Sequence, residues 1–229
     1  MPVRQIPRNY RNVTGRVSIA CMGRSVAFES PLERDFYILL DFDEAVASIE
    51  EQPLQIKYAR LDGTPGTYTP DALVHFTPQA NRRPELYEIK TRQDLRKDWS
   101  ELRPRFAAAI ALCREREWTF RIRTERGIRT QFLSNAKFLR RWRAHPVNEL
   151  EAQRIINVAR SCPEMTINSL FAGLAPWPGG QGALAGMVWH LIANRRLNAD
   201  LSLPLGPDSR IRAIEPPVTL QRNEREAAI

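Results

Sequence analysis

Two acidic residues and a lysine are the residues of this chain with the clearest capacity for catalysis. Asp71 follows Pro70, and Glu88 stands two positions before Lys90 on a segment whose pattern predicts a strand. Because side chains alternate along a strand, Glu88 and Lys90 are predicted to project from one face while Ile89 enters the core. If Asp71 ends the neighbouring antiparallel strand, its carboxylate lies beside that of Glu88.

Two neighbouring carboxylates favour a bound cation, because they repel each other at neutral pH. An all-oxygen site selects a hard ion, Mg²⁺ with Mn²⁺ as a substitute. Lys90 would then lie on the water side of the ion, where its ammonium orients an attacking water and stabilises the negative charge that develops on a phosphodiester. The alternative is structural, since a Pro-Asp turn and an exposed Glu-x-Lys pair need no metal.

Glu33 is a third candidate carboxylate with a competing structural explanation. Ser30 is a suitable N-cap, Pro31 fits the first helical position, and Glu33 completes a capping box. Composition and spacing alone therefore favour the capping role over a catalytic one.

The elements that would position these residues form one α/β layer. The pattern predicts a helix that starts at Pro31, extended segments at 49–58, 66–76 and 86–90, a helix over 98–117, a strand over 118–124 and a helix over 135–143. Asp98 with Glu101 is predicted to cap the long helix. That helix is predicted to bury four side chains: Leu102, Phe106, Ile110 and Cys113. This order predicts a mixed sheet flanked by helices.

A second domain is predicted after His145-Pro146. Helical patterns at 149–160, 166–174 and 181–196 precede strand patterns at 199–203 and 209–214, which is the order of a winged helix, although an ordinary surface hairpin has the same pattern. The predicted organisation is a basic N-terminal arm with little structure (1–20), an α/β domain that holds the candidate catalytic residues (21–145), a winged-helix-like helical domain (146–214) and a flexible tail (215–229).

The composition is that of a globular protein with a polyanionic partner. The chain has 229 residues, 43% of them hydrophobic, and a formal net charge of +8. No stretch reaches the roughly 18 consecutive apolar residues of a membrane span, and the N-terminus lacks the apolar core of a signal peptide. Three scattered cysteines indicate no disulfide framework. We therefore expect a cytoplasmic, nucleoid-associated protein with no membrane partner.

Positive charge is concentrated between Arg114 and Arg143, where ten cations and three acids account for +7 of the net +8. Aromatic residues lie among these arginines, as in a packed element that presents a basic surface, whereas a solvated helix face is the alternative explanation. Nucleic acid, of which double-stranded DNA is one form, is the expected partner. Its predicted contacts are Arg121, Arg123, Arg126, Arg129, Lys137, Arg140 and Arg141.

The motifs resemble a known nuclease family. Pro70-Asp71 and Glu88-Ile89-Lys90 resemble the PD-(D/E)xK signature of restriction-endonuclease-like nucleases. A wider frame is similar to TnsA, the endonuclease subunit of heteromeric transposases: FESPLERD at 28–35, DFD at 41–43, EQPL at 51–54, YTPD at 68–71 and TERGIR at 124–129, followed by Asn135 and Leu139. The likeness covers residues 28–143 well and residues 149–214 more loosely.

The resemblance implies a restriction-endonuclease-like fold and a DNA endonuclease that cleaves the 5′ ends of a transposon during cut-and-paste transposition. A separate TnsB-type transposase would cleave and join the 3′ ends, and a TnsC-type AAA+ ATPase would regulate the pair, with the second domain helping to contact DNA and the ATPase.

The resemblance also implies catalytic roles for Glu33, Asp71 and Lys90, which favours a metal role for Glu33 beside its capping role. Glu88 stands where family members have glutamine, so we expect the glutamate to strengthen metal binding. The predicted Mg²⁺ ligands are Glu33, Asp71, Glu88 and the Ile89 carbonyl.

The sequence is also compatible with two other functions. One is a stand-alone restriction or repair nuclease with the same fold. The other is a catalytically silent DNA-binding scaffold with vestigial carboxylates.

Overall fold

A computed structural model describes residues 13–162 and 164–214. Within it the chain forms two compact units, the first ending at Ala136 and the second starting at Lys137. The sequence placed the domain boundary near residue 145, and the predicted domain ranges stay a prediction. The expected flexible tail lies outside the described residues, as do residues 1–12 of the expected N-terminal arm.

The first unit is a mixed α/β structure. Its elements are β1 (Gly15–Ile19), β2 (Arg24–Phe28), α1 (Pro31–Phe42), β3 (Val46–Glu51), β4 (Ile56–Ala59), β5 (Pro65–Tyr68), β6 (Ala72–Phe76), β7 (Glu85–Ile89), α2 (Arg92–Lys97), α3 (Trp99–Glu115), β8 (Thr119–Arg123), α4 (Glu125–Ile128) and the start of α5 (Gln131–Arg140). The main sheet has the strand order β3-β6-β7-β8, in which β7 and β8 are parallel and the other neighbours are antiparallel. The predicted mixed sheet flanked by helices is therefore confirmed, and it is consistent with a restriction-endonuclease-like fold.

Strand β7 lies at the centre of this unit and is buried along its whole length. Leu86 packs with Phe106 of α3 and Tyr68 of β5 in one hydrophobic cluster. Tyr87, the next residue, faces the other way and its ring lies 4.9 Å from that of Phe36 in α1. The alternation of β7 thus packs one helix against each face of the strand.

Several local predictions for this unit were wrong. Residues 15–19 form a strand with buried Val17 and Ile19, because they pair with β2, so this part of the expected arm is structured. The segments 49–58 and 66–76 are each two strands, because Gln52, with φ of 46°, and the turn before Asp71 interrupt them. Strands β4 and β5 then pair with each other instead of joining the main sheet.

The start of the long helix also differs from the prediction. Asp98 occupies the N-cap position of α3 without a side-chain hydrogen bond, so the predicted capping box with Glu101 is wrong. The backbone N–H of Asp98 instead donates to the Asp94 carbonyl, so that Asp98 is also the C-cap of α2. Ile110, predicted to be buried, is 40% exposed, and Ala109 takes the buried position beside it.

The second unit contains three helices followed by a pair of short antiparallel strands. Its elements are α6 (Glu149–Ser161), α7 (Ile167–Leu174), α8 (Gly180–Ala193), β9 (Leu197–Ala199) and β10 (Ile211–Ala213). The predicted strand at 199–203 is a turn beyond Ala199, because the Asp200 carboxylate accepts hydrogen bonds from the Ser202 backbone N–H and hydroxyl. The assignment of a winged helix stays a prediction. Among the described residues of both units, no helix has the length and apolar character needed to cross a membrane.

Candidate active site

Asp71 and Glu88 lie opposite each other on neighbouring antiparallel strands. Ala72 pairs with Tyr87, so Asp71, one residue before β6, comes level with Glu88. The Asp71 N–H donates to the Tyr87 carbonyl at 3.0 Å, and the Ile89 N–H donates to Asp71 Oδ2 at 2.6 Å. The predicted juxtaposition of the two carboxylates therefore follows from the strand register.

Glu88 is a buried carboxylate with both oxygens engaged. Its side chain is 3% exposed, Lys90 Nζ lies 3.2 Å from Oε1, and the Tyr68 hydroxyl donates to Oε2 at 2.6 Å. Lys90 is more open, with 36% of its side chain exposed. The lysine thus lies between the buried carboxylate and solvent.

The ammonium of Lys90 is held in its charged form. Burial by itself lowers the pKa of Lys90, but the carboxylates of Glu88 and Asp71 outweigh it and raise that pKa above its usual value. At neutral pH Lys90 therefore carries a proton. It can stabilise negative charge and orient a water molecule, whereas it is unsuited to removing a proton from one.

Glu33 combines the capping geometry with proximity to this pair. Ser30 Oγ accepts from the Glu33 N–H at 3.1 Å and donates to Glu33 Oε1 at 2.9 Å, and Glu33 Oε2 accepts from the Glu29 N–H at 2.8 Å. The predicted cap at Ser30 is confirmed. Burial raises the pKa of Glu33, although its hydrogen bonds and the charge of Lys90 lower it. Helix capping and electrostatic contact with the site therefore coexist at Glu33.

Asp71 is a carboxyl group whose charged form is destabilised by burial and by its neighbours. Burial raises the pKa of Asp71 well above its usual range, and the charges of Glu88 and Glu33 raise it further. A nearby cation would relieve this repulsion. The Asp71 backbone is held independently of the carboxylate, because its carbonyl accepts from the Tyr37 hydroxyl at 3.0 Å and from the Gln52 N–H at 3.0 Å.

Comparison with protein families bears on this site. Residues 43–125 match the family model described as the TnsA-like endonuclease N-terminal domain. Over this segment the chain is TnsA-like. The resemblance to TnsA is thereby confirmed, and the matched residues include Asp71, Glu88 and Lys90, whereas Glu33 precedes them. No curated protein matches the chain. The match supports a nuclease associated with transposition.

Asp71 and Glu88 are the candidate carboxylate ligands for a Mg²⁺ ion at this site. Across residues 13–162 and 164–214, no three His, Cys, Asp or Glu side chains form a group that could hold a metal. Mg²⁺ in phosphoryl-transfer sites is commonly held by one or two carboxylates, with water and substrate phosphate as the other ligands. Asp71 and Glu88 supply two carboxylates, and the Ile89 carbonyl is a third candidate oxygen. The role of Glu33 as a ligand stays a prediction.

The arginines predicted to bind DNA have partners within the protein. Arg121 lies 3.5 Å from the buried carboxylate of Glu85, and Arg129 lies 3.3 Å from that of Asp35. These four residues form ion pairs that connect β7 with β8 and α1 with the segment after α4.

The remaining cations of the predicted DNA surface divide between the two units. Arg123 lies over the Tyr87 ring, 5.9 Å from its centre, and Arg126 is exposed on α4. Lys137, Arg140 and Arg141 belong to the second unit. Some of these cations therefore have partners within the protein, and the cations divide between two units. The binding of DNA by residues 114–143 stays a prediction.

Sequence reasoning assigned no role to Tyr68, although the residue belongs to the YTPD motif of the TnsA-like domain. Its hydroxyl is the buried donor to Glu88, and burial together with the Glu88 charge raises the pKa of Tyr68, which keeps the proton on the phenol. The residues are 20 positions apart in the chain. The pairing of β5 with β4 and the packing of both on α3 bring Tyr68 and Glu88 together. Their separation in the sequence therefore did not indicate this hydrogen bond.

Replacing Tyr68 with phenylalanine is expected to lower the free energy of unfolding by about 1.5–3 kcal/mol, because a buried hydrogen bond to a charged acceptor is lost. Urea unfolding followed by circular dichroism measures this change. Tyr58→Phe is the matched control: its hydroxyl accepts from Arg105 Nε in a half-buried setting, so its removal is expected to cost less. Equal losses in the two variants would contradict a special role for the Tyr68–Glu88 hydrogen bond.

Proposed function

We propose that this protein is a Mg²⁺-dependent DNA endonuclease that cleaves the 5′ ends of a transposon during cut-and-paste transposition. The observation that carries the proposal is the convergence of Asp71, Glu88 and Lys90 at adjoining strand ends within a TnsA-like domain. A TnsB-type transposase would process the 3′ ends, and a TnsC-type ATPase would control the pair. The reaction would take place on cytoplasmic DNA, where Mn²⁺ could replace Mg²⁺.

The residues of the site have distinct roles in this proposal. Asp71, Glu88 and the Ile89 carbonyl would hold Mg²⁺, and Glu33 would bind a second ion or its water. When bound, Mg²⁺ polarises a phosphate oxygen and lowers the pKa of a coordinated water. Lys90 keeps its proton, so it would orient the nucleophilic water and stabilise the extra negative charge of the transition state.

The test is cleavage of circular DNA that carries the mobile element, with and without the partner proteins. The full chain is expected to nick this DNA in Mg²⁺ or Mn²⁺ and to be inactive in EDTA, with nicks at the 5′ ends when the TnsB-type transposase is present. Gel electrophoresis and end mapping measure both outcomes. Cleavage that persists in EDTA would contradict the metal dependence, and efficient cleavage of any DNA without partners would favour a stand-alone nuclease.

A second candidate is a catalytically silent DNA-binding subunit. It is favoured by the engagement of both Glu88 oxygens with Tyr68 and Lys90, which leaves the carboxylate satisfied without a metal. Calorimetric titration of the protein with Mn²⁺ discriminates the two functions. Binding that is weakened in Glu88→Gln supports the nuclease, whereas no binding to the wild-type protein supports the silent subunit.

A further inference from the structure

A cleft of about 570 Å³ lies between α2 and α4 in the first unit. It is lined by Arg92, Gln93, Arg96, Lys97 and Glu125. Pockets for drug-sized molecules are lined mostly by apolar and aromatic side chains. Every lining residue here is polar or charged, and three of the five are cations, so the lining favours an anionic ligand that presents oxygen atoms.

The backbone holds this cleft at a defined position next to the candidate active site. Lys90 N–H donates to the Arg123 carbonyl at 3.1 Å, and α2 begins two residues later with Thr91 as its N-cap. The Arg92 N–H donates to Glu125 Oε2 at 2.9 Å, which attaches the start of α2 to α4. Arg92 and Arg96 are four residues apart and therefore share a helix face.

The three cations of the cleft have no ion-pair partner within residues 13–162 and 164–214. Arg92, Arg96 and Lys97 are exposed. Asp94 of the same helix is engaged with the Thr91 hydroxyl at 2.7 Å. This distinguishes the cleft from Arg121 and Arg129, whose charges are paired with buried acids.

We propose that this cleft binds backbone phosphates of the DNA strand that is cleaved, within a few nucleotides of the reacting phosphate. Arg92 follows Lys90 by two positions in the chain, so their Cα atoms lie at most about 7 Å apart. Successive base pairs rise about 3.4 Å, so phosphates near the reacting one come within reach of the cleft. Such contacts set the register and orientation of DNA without reading its sequence. The inference rests on the proposed nuclease function.

The salt dependence of DNA binding tests the proposal. Fluorescence anisotropy of a labelled duplex of arbitrary sequence, in EDTA and at increasing NaCl, gives the slope of log K against log salt. For the Arg96→Gln/Lys97→Gln double variant, we expect the slope to become shallower by about 2, one for each lost phosphate contact, with the same change on every duplex sequence. Glu125→Gln is expected to strengthen binding, because it removes the acid of the cleft but keeps an oxygen for the Arg92 N–H.

The matched control is the Lys57→Gln/Arg114→Gln double variant, which removes the same charge from exposed positions on β4 and α3. We expect its slope to equal that of the wild-type protein. Equal slopes for the two double variants, or no DNA binding by the wild-type protein, would overturn the proposal. Calorimetric binding of inorganic phosphate to this cleft, with DNA affinity unaffected by the substitutions, would also overturn it and indicate a small phosphate ligand.

Cleavage assays separate this proposal from the function on which it rests. With Mg²⁺, the Arg96→Gln/Lys97→Gln variant is expected to need about tenfold more DNA for half-maximal rate while the maximal rate changes little. If the wild-type protein binds DNA with the expected slopes but cuts none, the proposed nuclease function fails and the phosphate cleft stands. If the wild-type protein cuts DNA but the slopes do not differ, the nuclease function stands and the cleft proposal fails.

Discussion

Replacing Lys90 with methionine is expected to reduce the single-turnover rate of DNA cleavage by about 10²–10³-fold, the usual effect of removing one electrostatic contact to a transition state. Methionine keeps an unbranched side chain of similar length but removes the charge that lies 3.2 Å from Glu88. Because the pKa of Lys90 is raised, the lost group is an ammonium at any pH near neutrality. The rate should therefore fall uniformly across that range, with no pH at which activity recovers.

Lys57→Met is the control for Lys90→Met, because Lys57 is an exposed lysine on β4. Its cleavage rate should equal that of the wild-type protein, and both variants should still bind DNA. Removing Lys90 also leaves Glu88 buried with Tyr68 as its remaining partner, so a lower Tm is expected. Cleavage by Lys90→Met at the wild-type rate would contradict the assignment of Lys90 to the reaction.

Replacing Asp71 with asparagine is expected to have the largest effect, a loss of cleavage of at least about 10³-fold. A bound metal contributes several kcal/mol to the stabilisation of such a transition state, and each 1.36 kcal/mol corresponds to about a tenfold change in rate. Asparagine retains the volume and an oxygen that accepts from the Ile89 N–H, so the strand register should be preserved. Gel-based cleavage in Mg²⁺ measures the loss, and anisotropy confirms that DNA is still bound.

The same substitution is expected to stabilise the metal-free protein at neutral pH. The folded-state pKa of Asp71 is raised, so the stability that its protonated form contributes is present at acidic pH and is lost as the pH rises through that pKa. The side-chain amide of asparagine does not titrate. In EDTA the Tm of Asp71→Asn should therefore exceed that of the wild-type protein at neutral pH, and the difference should shrink as the pH falls.

Metal addition should reverse this order. Mg²⁺ that binds only the folded wild-type protein raises its Tm, whereas Asp71→Asn should respond weakly. Differential scanning fluorimetry in EDTA and in Mg²⁺ measures both effects. The wild-type protein and the variant could instead have equal Tm values at every pH and show no response to Mg²⁺. That result would show that the charged Asp71 carboxylate is not destabilised in the folded protein and is not a metal ligand.

Patterns with local causes were predictable. The start of α1 is an example, because Ser30 and Glu33 are three residues apart and satisfy each other through short-range hydrogen bonds. The placement of Glu88 in β7 and of Lys90, the residue directly after β7, on the same side of the chain is another, because side chains alternate along any extended segment. The mixed sheet also followed from the order of helical and extended patterns.

Predictions that depended on the packing of neighbouring elements were less accurate. The residues of α3 that face the core are spaced four, three and four apart, at Leu102, Phe106, Ala109 and Cys113. Ile110 is the bulkier side chain but lies about 100° further around the helix than Ala109. Hydrophobicity alone favoured Ile110, whereas the strands that pack against the helix left it 40% exposed.

The residues proposed for catalysis were thus identified from residue types and spacing, and their supporting contacts came from long-range packing. Asp71, Glu88 and Lys90 could be identified because a turn and a strand orient them through local geometry. The Tyr68 hydrogen bond to Glu88 and the Arg129 ion pair with Asp35 join residues 20 and 94 positions apart. Contacts between residues so far apart in the chain depend on the register of the strands and on the packing of helices against the sheet. The periodicity of the sequence determines neither of these.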